Sequence, residues 1–208
     1  MRIVAGTYKG RKIQAIPNKQ TRPTTDRVRE AWASSIVSLL GGRGLEGLQV
    51  LDAFAGSGAL GLELLSRGAD TCLFVEKNRA AFDILKSNMA SLELARPNVH
   101  ICMADSLKNP LPAQIIQSEP FNLVILDPPY ALPSVTVGEF IERLGGAGLL
   151  GKRAIISYEH ASSCTESLAD RKVMSTQDDA TRKMQLSMEK RKVYGTTCID
   201  YYLVNEQQ

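Results

Sequence analysis

Little in this chain suits metal chemistry or an oxidising compartment. Histidine occurs only at His100 and His160, and the four cysteines (Cys72, Cys102, Cys164, Cys198) are scattered, with no Cys-x-x-Cys pair. That leaves no zinc pattern and no disulfide framework, so no metal is expected. Cys72, Cys102 and Cys198 fall in apolar, strand-like segments and are expected as reduced packing residues. No apolar run approaches the length of a membrane span, and Met1-Arg2-Ile3-Val4 does not read as a signal peptide. The expected address is therefore the cytoplasm, without a membrane partner. No internal repeat is visible.

What remains is an ordinary globular composition. With 208 residues and 44% hydrophobic content, the chain can build one domain with a full core. Its net charge of +3 is unevenly placed: residues 1–30 hold eight Lys or Arg against Asp26 and Glu30, or +6, which leaves −3 for the rest. Such asymmetry points to a polyanion approached by the N-terminal arm. The alternative is a solvated tail with a basic bias.

Residues 1 to about 23 read as a small hairpin or extended arm. Thr24-Thr25-Asp26 supplies cap residues for a helix with Val28, Ala31, Trp32, Ser35, Ile36 and Leu39 on its apolar face, ended by Gly41-Gly42-Arg43-Gly44. Strands are expected near Leu48–Asp52, Thr71–Glu76, Val99–Met103, Phe121–Leu126 and Arg153–Tyr158. Helices are expected near Ala59–Arg67, Arg79–Ser91, Gln114–Gln117 and Val135–Leu144. This alternation predicts an α/β fold with a mostly parallel sheet covered on both faces. Gln185–Lys190 and Thr197–Val204 should form an antiparallel hairpin at the sheet edge, and the polar stretch Met174–Lys183 is expected as a loop. The division is into an N-terminal arm and helix, 1–44, and a main domain, 45–208.

Two motifs carry the chemistry. Gly56-Ser57-Gly58-Ala59-Leu60-Gly61 follows an apolar strand and opens a helix, with Glu76 at the tip of the next strand. Glycines let backbone approach a nucleotide-like cofactor, and the acid can take two ribose hydroxyls. Asp52, at the strand end, can hold the ammonium of a methionine moiety. Asp105, ending the third strand, can accept from an adenine amino group or serve as a helix N-cap. Asp127-Pro128-Pro129-Tyr130 closes a second apolar strand. The Asp127 carboxylate and the Pro128 carbonyl, its direction fixed by Pro129, offer two acceptors for an exocyclic amine. Tyr130 offers a ring on which a base can stack, a contact worth about 1–3 kcal/mol. Together the motifs point to methyl transfer from S-adenosyl-L-methionine to an exocyclic amine on a flipped or unpaired base. An ordinary turn is the alternative for each motif alone.

With both motifs placed, the chain resembles class I methyltransferases. More narrowly, it resembles the RsmD family of bacterial small-subunit rRNA guanine-N2 methyltransferases. The likeness runs through Met1-Arg2-Ile3-Val4-Ala5-Gly6, Lys9-Gly10-Arg11-Lys12, Arg22-Pro23-Thr24-Thr25-Asp26-Arg27-Val28-Arg29-Glu30, Asp52 to Gly61, Phe74-Val75-Glu76-Lys77 and Asp127 to Tyr130. The resemblance implies a Rossmann-like fold, S-adenosyl-L-methionine as donor, and a guanine of small-subunit rRNA in a pre-30S particle as acceptor. It also implies cofactor contacts from Asp52, Phe54, Gly56, Ser57, Gly58, Glu76, Lys77, Asp105 and Ser106, with Arg22, Thr24 and Arg29 lining the cleft near the cofactor or the target phosphates. The catalytic set is Asp127, Pro128, Pro129 and Tyr130. Arg2, Lys9, Arg11, Lys12, Arg22 and Arg29 would meet the RNA, and the chain would act as a monomer.

Other accounts remain open at this stage. A DNA adenine-N6 methyltransferase uses the same corner chemistry, although 208 residues leave little room for a target-recognition region. Protein glutamine methylation generally has Asn where this chain has Asp127. A nicotinamide-dependent oxidoreductase would leave Asp127 to Tyr130 without a role, and a non-catalytic RNA-binding protein would explain only the basic arm.

Overall fold

The computed structural model describes residues 1–17, 25–94, 97–108, 111, 119–164, 166–169, 171–177 and 180–206. The expected short helix Gln114–Gln117 and the candidates Arg22 and Thr24 lie outside them. The chain forms two compact units, Met1–Ser106 and Leu107–Gln208. No helix among the described residues is long and apolar enough to cross a membrane.

In the first unit the elements are α1 (Asp26–Leu39), β1 (Gln49–Asp52), α2 (Ala59–Ser66), β2 (Thr71–Glu76), α3 (Arg79–Ser91) and β3 (Val99–Met103). β2 runs parallel to both β1 and β3, pairing Leu51 with Leu73 and Phe74 with Ile101. Five consecutive residues of β2 are buried, the mark of a parallel strand covered on both faces. α1 starts where Thr25 Oγ1 accepts from the Val28 N–H at 3.3 Å. Its buried stripe is Arg29, Trp32, Ala33 and Ile36, at i, i+3, i+4 and i+7. Of the expected apolar face, Trp32, Ser35 and Ile36 are buried and Val28, Ala31 and Leu39 half-buried; the core side is shifted toward Arg29 and Ala33, a charged and a small residue that the pattern did not mark. α3 is capped by Asn78, whose Oδ1 accepts from the Ala81 N–H at 3.0 Å.

The N-terminal arm is a docked hairpin. Across it the Ile3 N–H donates to the Arg11 carbonyl at 3.0 Å, the Ile3 carbonyl accepts from the Gly10 N–H at 2.9 Å, and Arg2 bridges Lys12. Glu63 on α2 is fully buried and receives the Val4 and Ala5 N–H groups at 2.8 and 3.0 Å and the Arg67 Nε at 2.7 Å. Gly6 must be glycine here: its φ is +82°, and a Cβ would lie 1.8 Å from the Ser66 carbonyl oxygen.

In the second unit β4 (Phe121–Leu126) is followed by α4 (Ser134–Gly146) and by β5 (Leu150–Ala161), parallel to β4. α4 buries Val137, Phe140, Ile141 and Leu144, again at i, i+3, i+4 and i+7. β6 (Lys172–Gln177), β7 (Ala180–Tyr194) and β8 (Thr197–Glu206) complete the chain; β8 is antiparallel to β5 and β7, and β7 to β6. The expected loop Met174–Lys183 is thus mostly strand, and the β7–β8 hairpin is flanked by β6 rather than lying at an edge. The polar composition concealed these strands. Their burial rests on a few apolar anchors, Val173, Met184 and Leu186, all at 1% exposure or less. β5 begins earlier than expected because a register irregularity against β4 accommodates Arg153 at φ 60°.

Candidate active site

The glycine turn after β1 is held by backbone bonds, from the Ala55 N–H to the Val75 carbonyl at 3.0 Å and from the Gly58 N–H to the Ala55 carbonyl at 2.7 Å, and by side chains that bond backbone. Glu76 Oε2 accepts from the Gly56 N–H at 2.7 Å, and its Oε1 accepts from the Asn78 N–H at 2.7 Å. Asp52 is 2% exposed, and its Oδ2 accepts from the Gly61 N–H at 3.2 Å. Ser106 donates to the Ala53 carbonyl at 2.5 Å. Gly56 and Gly58 have φ of 57° and 81°, the left-handed region that glycine adopts without cost. Gly61 serves packing, since a Cβ there would meet the Phe74 ring at 2.3 Å. Lys77 Nζ and Asp105 Oδ2 stand 3.7 Å apart, which brings two more predicted residues together. Phe54 is half-buried beside the turn, and Ser57 is buried within it.

Asn88 was missed by sequence reasoning. Buried on α3, it donates to the Ser57 carbonyl at 2.9 Å and exchanges bonds with Gln14 N and O at 2.7 and 3.0 Å. It therefore links the N-terminal hairpin to the glycine turn. The arrangement fits a nucleoside-bearing group. A bare backbone turn lies against Glu76, whose two oxygens have about four lone-pair directions and spend one on each N–H named above.

The Asp127 to Tyr130 corner leaves the carboxyl end of β4. Asp127 is half-buried, Pro128 buried, and Pro129 and Tyr130 exposed. The Tyr130 hydroxyl donates to Glu159 Oε1 at 3.0 Å and lies 2.6 Å from Thr197 Oγ1. Burial first, and then the carboxylates of Glu159 and Asp127, push this phenol up to about 12, with Thr197 pulling the other way. Tyr130 is thus a neutral phenol near pH 7 and no general base.

Behind the corner lies a buried polar network that sequence reasoning also missed. Asp200 is fully buried and receives Arg191 through Nε and Nη2, both at 2.6 Å, the Tyr202 hydroxyl at 2.9 Å and His160 Nε2 at 3.1 Å. Burial alone would raise the Asp200 carboxyl. Arg191, then His160 and Tyr202, outweigh it and hold the group well below the usual carboxylate range. His160, Cys198 and Asp200 have metal-type donors within 4.8 Å of one another. With both carboxylate oxygens on a guanidinium, however, the cluster is an ion-paired network rather than a cation seat. Cys72 is buried as expected, and burial, then the Asp52 charge, pushes its thiol up. Cys102 departs from expectation by being half-exposed on β3.

The basic residues assigned to RNA divide. Arg2, Lys9, Arg11 and Lys12 are exposed on the hairpin. Arg2 pairs with Asp26 at 2.8 Å; Arg11 bonds the Ser91 carbonyl and stands 3.9 Å from Glu93. Arg29 is a correction. At 1% exposure, with Nη2 bonded to the Arg2 carbonyl at 2.6 Å and to Asp26 at 2.7 Å, it braces the hairpin and cannot reach a phosphate.

Comparisons with known proteins identify the family. The family model described as "Conserved hypothetical protein 95" matches residues 1–202. The Bacillus subtilis protein YlbH is 40% identical over 131 residues, 62% of this chain and 67% of that one. The Escherichia coli protein named ribosomal RNA small subunit methyltransferase D is 36% identical over 162 residues, 76% of this chain and 74% of that one. Among solved structures, Escherichia coli yhhF superposes with a TM-score of 0.70 at 28% identity, covering 100% of this chain and 99% of that one. The fold is the Rossmann-like one of class I methyltransferases. The chain belongs to the RsmD-type family of ribosomal RNA methyltransferases.

Proposed function

We propose that this protein transfers the methyl group of S-adenosyl-L-methionine to the exocyclic N2 amine of a guanine in small-subunit rRNA. The observation that carries the reading is that the chain holds both a braced glycine turn and an Asp-Pro-Pro-Tyr corner, each at a strand end of its own unit. When bound, the cofactor supplies an electrophilic sulfonium methyl. Glu76 would hold its ribose hydroxyls, Asp52 its ammonium and Asp105 its adenine amine. Phe54, Gly56, Ser57, Gly58, Lys77 and Ser106 would form the surrounding wall.

At the acceptor end, Asp127 and the Pro128 carbonyl would bond the two amine hydrogens and draw the nitrogen lone pair out of conjugation with the ring. Asp127 would accept the proton that the amine nitrogen releases on taking the methyl and pass it to solvent. Pro129 keeps the Pro128 carbonyl in one direction, and the Tyr130 ring carries the flipped base. Positioning and electrostatics supply the rate, because the donor is already activated. The exposed cations Arg2, Lys9, Arg11 and Lys12 would meet RNA phosphates. In this reading residues 1–44 serve as the RNA-facing extension of the catalytic domain. The chain acts as a monomer in the cytoplasm on a partly assembled small ribosomal particle.

Transfer of a tritiated methyl to small ribosomal particles, naked rRNA and duplex DNA tests this. Label in particles or rRNA is expected; label only in DNA would favour adenine-N6 methylation and overturn the proposal.

A further inference from the structure

We infer that Glu159 and Thr197 are a positioning pair for the acceptor base, holding the Tyr130 hydroxyl so that the plane of the stacking ring is fixed. The inference rests on the reading of Asp127 to Tyr130 as the acceptor corner. It begins with register. Leu126 pairs with Tyr158 at the end of the parallel β4–β5 ladder, and Asp127 and Glu159 are the residues that follow them in the chain. Laterally paired residues of parallel strands present their side chains on one face.

On the antiparallel β5–β8 ladder, Glu159 pairs with Ile199 and Ala161 with Thr197. Thr197 lies two residues before Ile199, so it shares a face with it and is the diagonal neighbour of Glu159. One phenol reaches both. Its hydroxyl lies 3.0 Å from Glu159 Oε1 and 2.6 Å from Thr197 Oγ1. A carboxylate only accepts, so Tyr130 donates to Glu159 and Thr197 donates to Tyr130, a one-way chain with every proton placed.

The tether acts at the far end of a lever. Fixing the hydroxyl oxygen sets the torsion nearest the backbone; because that oxygen lies on the Cβ–Cγ axis, the ring plane is set by the directions of the Glu159 and Thr197 bonds, which a phenol makes close to its own plane, while 38% of the residue stays exposed. The ladder beneath is itself braced: on its opposite face Asp200, paired with Tyr158, holds Arg191 and His160. The hydroxyl is spent on the tether, which leaves the ring as a platform and not a proton carrier. Sequence reasoning had a cue for Glu159, since acids also close the apolar strands at Asp52, Glu76 and Asp127. Thr197 had none, because only folding brings it within reach of residue 130.

The test compares methyl transfer to undermethylated small ribosomal particles by wild type, Glu159→Ala, Tyr130→Phe and the Tyr130→Phe/Glu159→Ala double variant. Each single change should lower kcat about tenfold, as a misplaced reacting group does. KM for RNA should stay within about twofold, because phosphate contacts carry that affinity. The double variant should be no slower than Tyr130→Phe alone. Glu159→Gln, which keeps an acceptor oxygen, and Thr197→Ser, which keeps a hydroxyl, should each retain most of the wild-type rate. Multiplying losses in the double variant would mean that Glu159 touches the base or the fold independently, and would overturn the inference. So would a Tyr130→Phe protein that turns over at the wild-type rate. A wild type that transfers no methyl to RNA would sink the functional reading first, and this inference with it.

Discussion

The two strand-end turns of this protein are built on opposite plans. The glycine turn after β1 owes its shape to backbone, closed by its own peptide bonds and reinforced by side chains bonded to peptide N–H and C=O: Glu76 to Gly56, Asp52 to Gly61, Asn88 to Ser57, Ser106 to Ala53. The corner after β4 presents a half-buried carboxylate and an exposed ring, held at its tip by Glu159 and Thr197. The first is a cradle whose failure should show in cofactor binding and stability. The second is a working surface whose failure should show in turnover.

The sharpest test of that division is Asp127→Ala. Turnover should fall by about two to three orders of magnitude, the usual loss for a preorganised polar group at a reacting centre. Affinity for S-adenosylhomocysteine, measured calorimetrically, should stay unchanged; equal loss of both would erase the distinction between cradle and surface.

Asp200→Asn comes next. Asp200 is fully buried but Arg191 is 38% exposed, so removing the carboxylate charge should cost about 2 kcal/mol in denaturant unfolding, the scale of a hydrogen bond to a charged group. Because the folded carboxyl titrates below its unfolded value of 3.8, its contribution is complete above that value and is lost as pH falls from there through the lower folded one. The variant should therefore show a flatter loss of stability in acid than wild type, and parallel curves would contradict the role given to Asp200.

At the cradle, Gly58→Ala places a Cβ 2.4 Å from Leu85 Cδ1 at a φ of +81°. A loss of about 2 kcal/mol is expected from backbone strain and overlap together, with weaker cofactor binding. The smallest effect is assigned to Asn88→Ala, at about 1–2 kcal/mol for leaving the Ser57 carbonyl without its donor. Cofactor affinity should fall while kcat at saturation holds, and a kcat-only defect would contradict the comparison.

What was legible in the sequence was local. The strand, glycine turn and acid of the cofactor side lie within Asp52 to Glu76, and the Asp-Pro-Pro-Tyr corner follows its strand directly, so short-range pattern sufficed. Burial of Arg29 was not legible, because Asp26 and the Arg2 carbonyl satisfy it only once the hairpin has folded back. Nor was the burial of Glu63 legible, because its donors Val4 and Ala5 lie 59 and 58 residues away in the chain. β6 and the start of β7 were read as loop because polarity was taken for exposure, although pairing needs backbone rather than apolar side chains. The Tyr130–Thr197 contact spans 67 residues and depends wholly on the β5–β8 register.

The most direct measurement is mass spectrometry of nucleosides from small-subunit rRNA after incubation with S-adenosyl-L-methionine and either wild type or Asp127→Ala. The predicted result is N2-methylguanosine with wild type and almost none with the variant. N6-methyladenosine in its place, or equal product from both proteins, would contradict the claim that the residue-127 carboxylate prepares a guanine amine for methylation.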